Sequence, residues 1–404
     1  MFNGYLKMAG QEIINSARTE AYAKAFLPGL EVLPISAGLR ERLGHIPYVS
    51  PAADRAPWYR AENPASARFY GLYPTALDGD DDSTRSIDVT ELSGDGAVHS
   101  MPRHGSRDLR FVVMALAADH EALEEGMAWL RNALDPGGCV ANSLGCGGWD
   151  AQMFASLPAS PGAPNPLRNW YKVELLEGPR VTQRFASKRV ATVKLEFILN
   201  AGVPWPFTPM ERVTSLDMNT GVVSVTDPAN EDCSAVESAY DKFINDPYFT
   251  AITPPPKAPV VAPPNILDIS SWRRRTVPVP LTVTQRWGRT VPVVTVDAHS
   301  RALQQVRLRF YRRTVNLQGC DYEGEFLISY LPPNSTMTLN AITKEARVTL
   351  PDGTTVPGEH LLYGSDGLPF MWPTLSCRDA YTFVVDMMPG NTDLVVTLDV
   401  AVRE

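Results

Sequence analysis

The chain has 404 residues, 44% of them apolar and 20% charged, with a formal net charge of −8. This is ordinary globular composition for two or three domains, and it excludes a disordered or collagen-like chain. The charge is unevenly spread: from Asn265 onward there are 14 Lys/Arg and 14 Asp/Glu, so the whole −8 falls within residues 1–264, and a general nucleic-acid binder is excluded. The 35 prolines lie mostly between or beside alternating apolar runs, which favours β-structure with long connections. No apolar run reaches the roughly 18 residues that cross a bilayer, and the first fifteen residues do not read as a signal peptide, so no membrane insertion is expected. Five scattered cysteines (Cys139, Cys146, Cys233, Cys320, Cys377) make neither a disulfide framework nor a zinc ribbon, and synthesis in a reducing cytoplasm is expected.

In chain order, Phe2–Lys24 reads as a short strand, a Gly turn and a polar stretch anchored by Ile13, Ile14, Ala17 and Tyr22, for which helical and extended forms are both open. Residues 34–80 are punctuated by Pro, Gly and Asn, and Trp58, Tyr59, Phe69, Tyr70 and Tyr73 suggest loops and short strands packed on a core. Asp108–Leu116 is apolar and β-branched, the pattern of a buried strand. A helix follows, capped by Asp119, with Leu123, Met127, Leu130 and Leu134 at helical spacing, and Pro136-Gly137-Gly138 ends it. Trp170–Leu176 and Val190–Leu199 read as strands, the latter alternating Val193, Leu195, Phe197 and Leu199 with more polar positions.

Residues 211–264 read as a polar and Pro-rich connection with a short helix near Ala235–Phe243, ending in TPPPKAPVVAPP (Thr253–Pro264). Its six prolines in twelve residues favour an extended polyproline form spanning up to about 37 Å at ~3.1 Å per residue. Beyond it, strands are expected at Val277–Gln285, Val291–Val296, Gln305–Tyr311, Gly324–Leu331, Ser335–Ala341, Ala346–Leu350, Ala380–Asp386 and Thr392–Val402, with a hairpin turn at Asp352-Gly353. The expected organisation is mainly β. An α+β N-terminal domain, 1–210, is a sandwich or barrel with one packed helix, 211–264 connects, and 265–404 is an all-β sandwich.

Catalytic signatures are missing: the sequence has no P-loop, dinucleotide fingerprint, nucleophile elbow or HExxH, so the chain is read as a non-enzyme with no catalytic, cofactor or metal residues. His45, His99, His104, His120, His299 and His360 are isolated from one another. His104-Gly105-Ser106 sets a base beside a hydroxyl, but sequence neighbours rarely meet in catalytic geometry. Asp78, Asp80, Asp81, Asp82 and Ser83 offer hard oxygens for calcium, yet such a run is usually a solvated loop and lacks the EF-hand acid. Cys139 and Cys146 flank a Gly-rich loop that could bring them close enough to bridge or to share a metal with distant partners, and they read first as free thiols. Trp272–Arg313 carries ten arginines and one acid, a patch suited to an acidic partner or a solvated strand face. Glu323 and Glu325 share a strand face, and along one strand they are poorly placed for a glycosidase pair.

Several stretches together resemble the distal tail or minor tail proteins of long-tailed bacteriophages, especially those infecting actinobacteria. They are NGYLKMAGQEIINSARTEAY (Asn3–Tyr22), LDGDDDSTRS (Leu77–Ser86), SGDGAVHSMPRHGSRDLRF (Ser93–Phe111), EALEEGMAWLRNALDP (Glu121–Pro136), VKLEFILNAGVPWPFTP (Val193–Pro209) and DPYFTAITPPPKAPVVAPP (Asp246–Pro264). The resemblance implies a first domain that forms a hexameric ring and a second, galectin-like sandwich on its periphery. It implies a virion protein of the tail tip, made in the host cytoplasm, joining the tail tube to the tip. Its expected partners are copies of itself, the tail tube protein, a tail-tip hub or other minor tail proteins, and the tape-measure protein. The alternative is a carbohydrate-binding module, or another minor tail protein that adsorbs to the host surface, with Trp372 and Tyr363 offered in loops to a sugar.

Overall fold

The computed structural model describes residues 4–26, 37–82, 84–135, 137, 148–154, 166–186, 190–225, 272–280, 288–312, 322–364, 372–376, 379–388, 391 and 393–403. The chain divides into two units, Met1–Pro209 with Arg403–Glu404, and Met210–Val402. Both are mainly β. All five cysteines, the segment Ala235–Phe243 and the proline run Thr253–Pro264 lie outside the described residues.

The first unit opens with the hairpin β1 (Tyr5–Met8) and β2 (Gln11–Asn15), followed by α1 (Ser16–Phe26) and α2 (Ala37–Arg42). Then come β3 (Phe69–Asp78), four short strands β4 (Arg85–Ser86), β5 (Val89–Glu91), β6 (Ala97–His99) and β7 (Arg103–His104), and β8 (Arg107–Ala117). After α3 (His120–Leu134), the strands β9 (Trp149–Phe154), β10 (Leu167–Ala186) and β11 (Ala191–Ala201) complete it. The opening segment resolves in favour of a helix after the hairpin, because the Asn15 side chain accepts from the Arg18 N–H and caps a run rich in alanine. Ile13, Ile14, Ala17 and Tyr22 are all buried.

One antiparallel sheet, ordered β2-β1-β9-β10-β11-β8-β3, organises this unit, and its two edge strands touch, so the sheet curls on itself in the manner of a barrel. β8 and β11 are paired residue for residue from Arg107–Ala201 to Ala117–Ala191, and every second residue of each enters the core. The expected inward set Val193, Leu195, Phe197 and Leu199 is buried, with Phe197 stacked on Phe111 at 5.0 Å. In α3, Asp119 accepts from the Ala122 N–H, and Leu123, Met127, Leu130 and Leu134 are buried. The helix crosses Phe69 at Gly126, where any Cβ would collide with the ring, so close packing dictates glycine here.

The second unit begins with β12 (Glu211–Asp217) and β13 (Val223–Val225), and continues through β14 (Trp272–Val279), β15 (Arg289–Ala298), β16 (Leu303–Arg312) and β17 (Tyr322–Leu331). It ends with β18 (Ser335–Asn340), β19 (Glu345–Thr349), β20 (Thr355–Pro357), β21 (Leu362–Tyr363), β22 (Tyr381–Met387) and β23 (Leu394–Arg403). Two antiparallel six-stranded sheets, β12-β23-β15-β18-β19-β20 and β13-β14-β22-β16-β17-β21, share one apolar core and form a sandwich. The expected strands from Val291 onward have counterparts, whereas of Val277–Gln285 only Val277–Val279 falls in β14 and 281–285 lie outside the described residues; at Asp352-Gly353 the Asp352 side chain accepts from the Thr354 N–H as β19 turns into β20. Residues 211–217, read as part of the connection, are instead a strand: Leu216 enters the core while Ser215 and Asp217 face outward, and β12 pairs with β23. Single apolar residues among polar ones hid this edge strand.

Candidate functional site

Between β3 and β8 the first unit carries a two-stranded ribbon. β4 pairs with β7, and β5 with β6, and the Leu92 N–H donates to the Gly96 carbonyl at the tip. The Ser100 N–H donates to the Asp88 carbonyl and the Gly105 N–H to the Thr84 carbonyl, so the two short ladders are one ribbon extending about 30 Å at ~3.3 Å per residue. Val89 lies opposite His99, and Val98 opposite Thr90, so the two valines belong to opposite faces. Both faces are exposed. Ile87, Val89, Leu92, Val98 (57% exposed) and Met101 (86% exposed) stand in solvent.

The foot of the ribbon is firmly seated. Gly79, with φ +93°, turns the chain out of β3 against the Asp108 carbonyl. The His104 ring lies 4.9 Å from that of Trp205, and Asn200 donates to Ser106 Oγ at 3.0 Å. His104 and Ser106 thus each make a contact at the ribbon's foot, the imidazole with Trp205 and the hydroxyl with Asn200. Arg107 enters the acidic loop, donating from Nη1 to the Asp80 carbonyl at 2.7 Å, with its guanidinium 5.5 Å from the Trp170 ring. Burial pulls the Arg107 pKa down, while burial and then Asp81 push that of Asp80 up. The Arg107 guanidinium thus adds a positive charge beside Asp80, Asp81 and Asp82. Ser83 lies outside the described residues, and among the described residues no cluster of His, Cys, Asp and Glu has metal-binding geometry.

In the second unit the arginine block behaves differently from either sequence reading. Val306, Leu308 and Phe310 do face the core. On the other face, strand register sets Arg274, Asp386 and Arg307 in one row and Arg309 beside Glu325 in the next. Arg274 donates to both oxygens of Asp386, at 2.6 and 3.2 Å, and Arg309 donates to Asp386 Oδ2 at 2.6 Å. Arg307 pairs with Glu325, and Arg312 with Glu323. Asp386 (0%) and Arg309 (2%) are out of solvent, so this face is neither solvated nor a free basic patch. The carboxylates that neutralise it come from β17 and β22. Glu325 is likewise buried and bound to Arg307, which removes it from any hydrolytic pair with Glu323. Trp372 packs on the core with its ring 5.5 Å from Phe326, whereas Tyr363 stays half-exposed on β21.

No protein-family model and no curated protein matches the chain. Solved structures similar to it come from phage adsorption machinery. One is the SPP1 Dit (gp 19.1) protein, described as a paradigm of the hub adsorption apparatus in phages infecting Gram-positive bacteria: 9% identity, TM-score 0.39, covering 83% of this chain and 94% of that one. Another belongs to the phage P2 baseplate in its activated conformation with Ca, at 7% identity and TM-score 0.39, covering 81% of this chain and 90% of that one. A third belongs to the phage p2 baseplate activated with Sr, at 6% identity and TM-score 0.40, with coverage of 81% and 90%. At this identity and TM-score, no residue role carries over to the present chain.

Proposed function

We propose that the chain is a structural protein of a phage tail tip, a ring-forming adaptor that joins the tail tube to the tip complex and works through protein interfaces. The observation that carries the interface reading is the ribbon from Thr84 to Gly105. It holds five large apolar side chains in solvent on a two-stranded element, and such an element is marginal by itself in water. A partner that covers the ribbon removes both costs.

The phage context rests on the motifs from Asn3–Tyr22 to Asp246–Pro264, two of which, Leu77–Ser86 and Ser93–Phe111, make up most of the ribbon and its foot. By that resemblance the ring has six copies, the second unit is galectin-like, and the neighbours are the tail tube protein, a tip hub and the tape-measure protein. A ring repeats one heterologous contact until it closes. Native mass spectrometry and electron microscopy of the purified full chain and of the assembled particle test this: closed rings are expected, and monomers in both would overturn it.

A further inference from the structure

The ribbon tip has a chemical complement on the same unit. From Ile87 to Met101 the chain carries Asp88, Glu91 and Asp95 and no Lys or Arg, interleaved with the five exposed apolar residues. Residues 40–60 have the opposite character. Arg42, Arg55 and Arg60 are exposed there against a single exposed acid, Glu41, and Ile46 (50%) and Val49 (63%) stand in solvent among them. The remaining two charges in this segment are already engaged. Arg40 pairs with Glu20, and Asp54 accepts from the Tyr22 hydroxyl at 2.7 Å and from the Val49 N–H at 2.8 Å.

This layer is also well anchored. The Tyr48 hydroxyl accepts from Asn15 at 3.0 Å, and the Arg18 guanidinium lies 4.5 Å from the Tyr48 ring centroid. Burial raises the pKa of both the Tyr22 and Tyr48 phenols, so they remain neutral and the layer's outward charge is set by its arginines. One unit therefore presents an acidic, apolar projection and a fixed, basic, apolar surface. That combination is suited to head-to-tail association.

We propose that the ribbon tip of one copy, Ile87–Met101, docks on residues 40–60 of a second copy. Val98 on one face of the ribbon and Leu92 at its tip cover Ile46 and Val49, while Asp88 and Asp95 meet Arg42, Arg55 and Arg60, and Glu91 adds to the negative potential of the tip. The proposal rests on the ring-forming reading and names the surfaces that close the ring.

Charge reversal tests it on the full chain. One variant carries Asp88→Lys, Glu91→Lys and Asp95→Lys, and another carries Arg42→Glu, Arg55→Glu and Arg60→Glu. Each alone is expected to melt as the parent chain does and to self-associate roughly tenfold more weakly or worse in sedimentation and native mass spectrometry. An equimolar mixture of the two is expected to assemble again, with the copies alternating, because each ribbon then finds an opposite charge. Undiminished assembly of either variant, or no recovery on mixing, overturns the docking while leaving the ring reading intact. A monomeric parent chain, in solution and in the particle, overturns both.

Discussion

The two units break the rule of apolar inside and charged outside in opposite directions. In the first, Ile87, Val89, Leu92, Val98 and Met101 stand in water on a ribbon with no core of its own. In the second, Arg274, Arg309, Asp386 and Glu325 are buried on the sheet face turned away from the sandwich core. Each guanidinium of the charged cluster finds a carboxylate on a neighbouring strand, although Arg309 Nε and Glu325 Oε2 make no hydrogen bond. The ribbon has no comparable internal solution. The charged cluster is met by the architecture itself, and the ribbon leaves apolar surface that the proposed ring contact would cover.

Removing one member of the charged cluster sharpens this contrast most. Asp386→Ala leaves Arg274 and Arg309 without their shared carboxylate in a buried site, and should cost roughly 3–5 kcal/mol in denaturant unfolding. Replacing Arg274, Arg309 and Asp386 together by apolar residues of similar volume should restore most of that loss. If Asp386→Ala unfolds like the parent, the cluster is not a structural element.

Gly126→Ala comes next. Its Cβ would strike the Phe69 ring, a collision of the overpacking kind that costs about 1–3 kcal/mol, and Phe69→Leu in the same chain should recover part of it in thermal melts. Asp119→Ala removes the α3 cap and the Arg68 ion pair, and should cost about 1 kcal/mol by the same measurement. Alkaline titration probes burial in the first unit from another side. Burial pushes the Tyr171 phenol up to about 12, against about 10 in an unfolded chain. Because the folded pKa is the higher one, that contribution to stability is complete below pH ~10 and drains away as pH rises toward ~12. Smallest in stability should be Val89→Ser with Val98→Ser, within about 0.5 kcal/mol, since neither side chain packs in the core.

Local pattern made much of the fold legible. The alternation Val193, Leu195, Phe197, Leu199 and the stripe Leu123, Met127, Leu130, Leu134 have the periods of a half-buried strand and an amphipathic helix, and both are realised. The strands of the second half from Val291 onward are readable for the same reason. What escaped depended on distant partners. Asp386 is 112 residues from Arg274 and 77 from Arg309, so nothing local announces that these arginines are buried. Trp372 reads as a loop aromatic until Phe326 is brought against it.

The ribbon is an intermediate case. Ser93-Gly94-Asp95-Gly96 between Val89–Glu91 and Ala97–His99 is a hairpin signal, but the strands have no apolar face and their pattern alone assigns them no core. The edge strand Glu211–Asp217 was missed for a related reason, since Leu216 stands singly among polar residues. Of the candidate groups named from sequence, His104 and the acidic loop do mark the ribbon's foot, although as structural contacts.

The most direct measurement replaces residues 84–105 by a short Gly-Ser turn and compares the full chain with and without its ribbon by native mass spectrometry and thermal melting. Loss of the closed assembly is expected while the chain still melts in a cooperative transition, shifted down only by the stabilisation that assembly itself contributes. An assembly that forms equally well without the ribbon would contradict it.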